Sequence, residues 1–140
     1  MSNQNEEIVQ VLTDEECWQL LGDNALGRLA FAVAGVPEIV PVNYHAADGK
    51  LYFRTAEGSK LLGVTINQEV AFEIDQVDGR EARSVVVQGA AREITSEEER
   101  SEVEKLPLVP WVPTDKFHYV EIVPEQITGR RFQLGPVEGA

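Results

Sequence analysis

The sequence predicts a mainly β fold, a small antiparallel barrel carrying two or three short helices. Three observations support this expectation. Short apolar segments recur at close spacing from Leu26 onward, turn dipeptides such as Asp48-Gly49 separate them, and helical periodicity is confined to brief stretches. A chain of 140 residues makes one ordinary domain with room for a core, and 43% apolar with 26% charged residues is a globular composition.

Residues 1–10 are polar and acidic and read as a flexible tail, the domain as 11–132, and residues 133–140 as a second short tail. Thr13 with Glu16 three residues on forms a capping box, and Gly22 supplies a stop, so a helix is expected between them. Cys17, Leu20 and Leu21 share one face of it at i, i+3, i+4 spacing, with Trp18 beside them, so Cys17 reads as a small buried hydrophobe.

Six strands are expected: Gly27–Ala34, Glu38–Tyr44, Lys50–Thr55, Glu69–Asp75, Arg83–Ile94 and Lys116–Val123. Gly35-Val36-Pro37 and Asp48-Gly49 are turn material between the first three. Pro41 cannot donate to a ladder, which places its strand at an edge or a bulge. A short helix is expected over 58–65, and Thr95 or Ser96 caps an acidic helix whose charges form a solvated face. Pro107 to Pro113 reads as an irregular loop. Val85, Val86 and Val87 are apolar in succession, so both faces of that strand need cover, from a helix or from a second copy of the chain.

Twenty-four acidic residues against 12 basic ones give a net charge of -12 with no basic stripe, which argues against nucleic-acid partners. No apolar run approaches the roughly 18 residues that span a bilayer, and no leader pattern is visible, so a cytoplasmic location is expected. A single cysteine excludes an internal disulfide and a Cys-x-x-Cys site.

The segment Arg54-Thr55-Ala56-Glu57-Gly58-Ser59-Lys60-Leu61 is the most informative chemically, because it runs from a strand through a glycine into a helix start. Unpaired N–H groups and the helix dipole make such a terminus a natural anion site. Lys60 in the first turn opposes that dipole by roughly a few tenths of a kcal/mol, and an anion held between Lys60 and Arg54 reverses the sign. Thr55 and Ser59 add hydroxyl donors. The alternative is an ordinary helix start with two surface cations.

Neither a P-loop nor a Gly-x-Gly-x-x-Gly pattern is present. His45 and His118 stand isolated in sequence, with no carboxylate or thiol at ligand spacing, so no metal is expected. Ser84 lies in a strand rather than on a nucleophile elbow. Trp111, between prolines, is a loop anchor or a platform for a planar ligand; Arg130-Arg131 is solvated charge or a further anion contact.

The ordered set Gly27-Arg28-Leu29-Ala30, Pro37 to Tyr44, Phe53 to Leu61, Val70 to Asp75, Ser84 to Gly89, Pro110-Trp111 and Ile127 to Arg131 resembles the pyridoxamine 5'-phosphate oxidase-like flavin-binding split barrels, chiefly their short actinobacterial branch. The resemblance implies a six-stranded split barrel that forms a homodimer with FMN at the subunit interface, and an oxidoreductase acting on a small-molecule substrate. By position, Pro41, Val42 and Asn43 would border the flavin ring, Phe53, Arg54 and Thr55 would line the ribityl chain, and Ser59 with Lys60 would hold the phosphate. Ser84 matches a position that contacts ring or phosphate, and Trp111 and Arg130 are added as flanking contacts. No catalytic side chain is implied, because hydride transfer needs none. Arg83 stands where relatives often carry Trp. The C-terminal Arg-x-His pattern of the true oxidases is replaced by Gly-Arg-Arg-Phe-Gln, which argues against vitamin B6 oxidation. Related barrels use the deazaflavin F420, the alternative cofactor, or serve as non-catalytic flavin carriers or sensors.

Overall fold

The computed structural model describes residues 9–56, 68–108 and 117–135. The chain runs β1 (Val9–Val11), α1 (Asp14–Gly22), β2 (Leu26–Val33), β3 (Val36–Asn43), β4 (His45–Ala47), β5 (Lys50–Ala56), β6 (Gln68–Asp78), β7 (Glu81–Ile94), α2 (Glu97–Val103) and β8 (Phe117–Gln133). The mainly β, split-barrel architecture is as expected, but the sheet has eight strands rather than six. β1 arises from the end of the expected tail, pairing Val9 with Phe132 and Val11 with Arg130. β4 is a short extra strand that pairs His45 with Tyr52. The expected helix over 58–65 lies outside the described residues.

All pairings are antiparallel, in the order β3-β2-β6-β7-β8-β5-β4 with β1 against β8. β3 and β4 therefore occupy opposite edges, yet they are consecutive in the chain with Tyr44 alone between them. The wall closes through this covalent link, not through a hydrogen-bonded ladder. Pro41 lies on edge strand β3, as its missing N–H requires.

Local chemistry explains the joints. Thr13 accepts from the Glu16 backbone N–H at 3.1 Å, and the Glu16 carboxylate accepts from the Thr13 N–H at 2.9 Å, so the capping box starts α1. Asp48 and Gly49 both have positive φ (53° and 72°), the geometry of a two-residue hairpin turn that suits the twist of the flanking strands. The turn between β2 and β3 is Ala34-Gly35, one residue earlier than expected, which leaves Val36 and Pro37 in the strand.

The core has two compartments. Inward residues of the wall (Leu29, Val42, Leu51, Phe53, Phe72, Ile74, Val85, Val87, Val120 and Ile122) pack with Leu12, Cys17, Leu20 and Leu21 beneath α1. On the other side of β5, β7 and β8, α2 and its C-terminal extension cover Ile94 and Tyr119 with Val103 and Leu108. Val85 and Val87 are fully buried while Val86 keeps partial exposure on the outward face. Cys17 is buried as expected, and burial, reinforced by Asp14 and Glu16, pushes its thiol ionisation up, which disfavours the nucleophilic thiolate.

Candidate functional site

The described chain divides the predicted site residues into separate groups. Pro41, Val42 and Asn43 lie at the end of edge strand β3: Pro41 is exposed, Asn43 half-buried, and Val42 packed into the core. Phe53, Arg54 and Thr55 lie together on β5, but their side chains face different compartments. Phe53 is 0% exposed within the barrel, so its role in this chain is packing and it presents no surface to a ligand. Arg54 faces the α2 side, where its Nη2 donates to the Leu108 carbonyl oxygen. Thr55 faces inward near the end of β5 and is buried. Ser59, Lys60 and Trp111 lie outside the described residues.

Ser84 and Arg130 are brought together, directly opposite one another across β7 and β8 on the outward face. Ser84 is half-buried and Arg130 exposed, and among the described residues Arg130 makes no ion pair. Other arginines are engaged: Arg28 with Glu73 and Asp75, Arg83 with Asp78 and Glu81, Arg92 with Glu99 and Glu121, Arg131 with Glu16. Arg83, in the place where relatives often have Trp, is thus held within a local acidic cluster beside Arg131. Thr55 lies opposite His118, and Ser84 opposite Arg130 on the same strand, so the two groups are separated by roughly 40 Å of strand contour.

One pairing was not legible in the sequence. His118 is not isolated: its Nδ1 lies 2.8 Å from Glu93 Oε2, both residues on the inward row of the wall. Sequence spacing hides this contact because it is made across β7 and β8, whose register shifts between Gln88 and Gly89. The shift could be anticipated only from the Gly89 and Pro124 pair that it accommodates.

A second feature of the outward face is a cleft of about 530 Å³ lined by Ala30, Ala32, Pro37 and Ala71, with Glu69 and Glu125 at its polar side. The Glu69 carboxyl ionises above its usual range because it shares a hydrogen bond with Glu125, with some burial and the Glu125 charge adding to the effect. No helix of the described chain is long and apolar enough to cross a membrane.

The sequence profile of the pyridoxamine 5'-phosphate oxidase family matches residues 13–131, which include every predicted site residue. The chain belongs to the pyridoxamine 5'-phosphate oxidase family. Among solved structures of relatives, the FAD-binding protein of Mycobacterium smegmatis is 42% identical, with a TM-score of 0.84 over 90% of this chain and 100% of its own. A FAD-binding protein of Mesorhizobium loti is 29% identical, with a TM-score of 0.71 over 88% of this chain and 97% of its own. An uncharacterised protein of Mycobacterium tuberculosis is 35% identical over 133 residues, 89% of this chain and 86% of its own. This family member therefore shares both the wall and the order of its segments with proteins named for a bound flavin.

Proposed function

We propose that the chain is a flavin-binding oxidoreductase that works as a homodimer, with FMN as the bound form. The observation that carries this reading is the 42% identity, over the full length of its partner in the comparison, to a protein named for binding FAD. FMN and FAD share the isoalloxazine ring, the ribityl chain and the first phosphate, and the predicted contacts address that shared part.

The residues present fit such a group in their chemistry. Thr55 offers a hydroxyl, Asn43 an amide, and Ser84 with Arg130 a hydroxyl beside a cation. Within one chain the Thr55 and Ser84 groups lie toward opposite ends of β8 and on opposite faces of the wall. Two copies packed through the outward faces of β2, β3 and β6 would let one copy supply what the other lacks. Exposed Leu26, Ile39 and Val77 and the apolar cleft make that face suited to burial. When bound, the flavin supplies hydride and electron transfer, and the protein supplies orientation and electrostatics. The acidic surface elsewhere disfavours anions, so local cations such as Arg130 matter for any phosphate-bearing cofactor.

The test is the visible spectrum of freshly purified protein, with the extracted flavin identified chromatographically. Stoichiometric FMN is the expected result, and NADH or NADPH should reduce it. Recovery of FAD would overturn the choice of FMN and keep the flavin. A colourless chain that retains neither after reconstitution would overturn the reading.

A further inference from the structure

We propose that His118, aimed by Glu93 and set opposite Thr55, forms a hydroxyl-recognising contact that holds the polyol (ribityl) chain of the bound flavin. This deepens the flavin reading and rests on it.

The inward row of the wall is apolar along most of its length: Leu51 and Phe53 on β5, Ala91 on β7, Val120 and Ile122 on β8 are all buried in one cluster. Toward the end of β5 it turns polar: Thr55 and His118 form the layer beyond Phe53 and Val120, and Glu93 stands level with Val120 on β7. Thr55 follows Phe53, His118 precedes Val120, and Glu93 follows Ala91. Thr55 and His118 are direct register partners, which sets their Cβ atoms about 5 Å apart. Glu93 pairs with Val120, one step diagonally from His118, and its carboxylate meets the ring at 2.8 Å. The side chains of His118 and Glu93 are only 26% and 20% exposed, so both are substantially withdrawn from water.

A carboxylate accepts, so Nδ1 donates to it, and Nε2 is left on the far side of the ring. Among the described residues neither Nε2 nor the Thr55 hydroxyl makes a hydrogen bond. The site therefore presents a ring nitrogen beside a hydroxyl that both donates and accepts. That combination suits ligand hydroxyls, which also donate and accept. It suits a bare phosphate poorly, because Glu93 adds negative charge immediately behind the ring. Thr55 is also one of the residues that the family resemblance sets along the ribityl chain, and His118 and Glu93 extend that lining across two more strands.

Three probes separate the parts of the flavin: lumiflavin lacks the polyol, riboflavin has it without phosphate, and FMN has both. Binding of each is titrated by fluorescence quenching to the wild-type full chain and to His118→Phe, Thr55→Val and Glu93→Gln, with circular dichroism confirming the fold. His118→Phe should weaken riboflavin and FMN by about tenfold each and leave lumiflavin unchanged. Thr55→Val should show the same selectivity, and Glu93→Gln a smaller loss of the same pattern, since it acts by holding the ring. Equal affinities in wild type and all three variants, a loss confined to FMN, or a loss shared by lumiflavin would each overturn the inference while leaving the flavin reading intact. A wild-type chain that binds none of the three would overturn both. Thr55→Val, the nearest isostere, keeps the test decisive should His118→Phe fail to fold.

Discussion

The Tyr44 phenol donates to the Leu21 carbonyl oxygen at 2.6 Å, tying the one-residue link between β3 and β4 to the end of α1. Tyr44 is 2% exposed, its backbone N–H reaches the Ala25 carbonyl at 3.0 Å, and its ring meets Phe72 edge-on at 4.7 Å. Burial, with a contribution from Asp23, pushes its ionisation above the usual phenol range. Tyr44→Phe keeps the ring contact and leaves the buried Leu21 carbonyl with the long 3.4 Å bond from the Asn24 backbone N–H. It should cost about 1–2 kcal/mol, read as a lower urea midpoint at unchanged slope.

Gly89 should not tolerate a side chain. A Cβ there would run into the Val123 carbonyl and the Pro124 backbone, where the ladder between β7 and β8 shifts register. Backbone cannot swing aside as a side chain can, so Gly89→Ala is expected to cost more than about 2 kcal/mol. Thermal unfolding checks this, with Gly79→Ala as a comparison that isolates strain from positive φ, since a Cβ at Gly79 meets nothing within 4 Å.

Glu121 is 3% exposed and is held by Arg92 through Nε at 3.2 Å and Nη2 at 3.0 Å, with Lys50 at 3.6 Å. Removing Arg92 leaves that carboxylate with the longer Lys50 contact and the neighbouring Tyr52 hydroxyl. The side chain of Arg92 is itself 43% exposed, so Arg92→Ala should cost about 2 kcal/mol rather than the roughly 3–5 expected for a fully buried pair. Adding Glu121→Gln should recover part of the loss, as a double-mutant cycle in urea would show.

Glu69 carries a pH signature. Its proton is bound more tightly in the folded chain because of the hydrogen bond with Glu125. That contribution is complete below the ordinary carboxylate range and is lost as pH rises through the elevated folded value. At neutral pH two carboxylates repel, so Glu69→Gln should raise the melting temperature at pH 7, and the advantage should vanish near pH 4. A gain of equal size at both pH values would refute this account.

If the outward face is the seat of the homodimer, charge there should split it. Ile39, 64% exposed on edge strand β3, is the position to alter. Sedimentation of the wild type should give twice the chain mass, and Ile39→Arg should give a single chain with weakened flavin retention. A monomeric wild type would refute the assembly.

Much of the fold was legible from residues whose chemistry acts locally. Thr13 and Glu16 announced α1, Asp48-Gly49 a hairpin, and Pro41 an edge strand, because each constraint is satisfied by near neighbours. The length of β8 was not legible. The expected strand stopped at Val123, since Pro124 and Gly129 break a strand pattern. Pro124 is accommodated beside the register shift, and the bare Cα of Gly129 makes room for Cys17 and Leu12, so both exceptions depend on distant packing. The site shows the same division. Ser84 and Arg130 were picked out separately and prove to be register partners, whereas Glu93 and His118 are 25 residues apart and nothing local joins them.

The length of β8 has a consequence for how the molecule is made. Its 17 residues pair with β1, β5 and β7, all of which precede it in the chain. During synthesis the 14-residue β7 emerges with one hydrogen-bonding edge bare, and neither the wall nor the seat for α1 is complete until β8 arrives. Folding is therefore governed by long-range closure and should be slow for so small a chain. A ribosome stalled before Phe117 would hold a half-sheet with the β7 edge exposed to pairing with other chains.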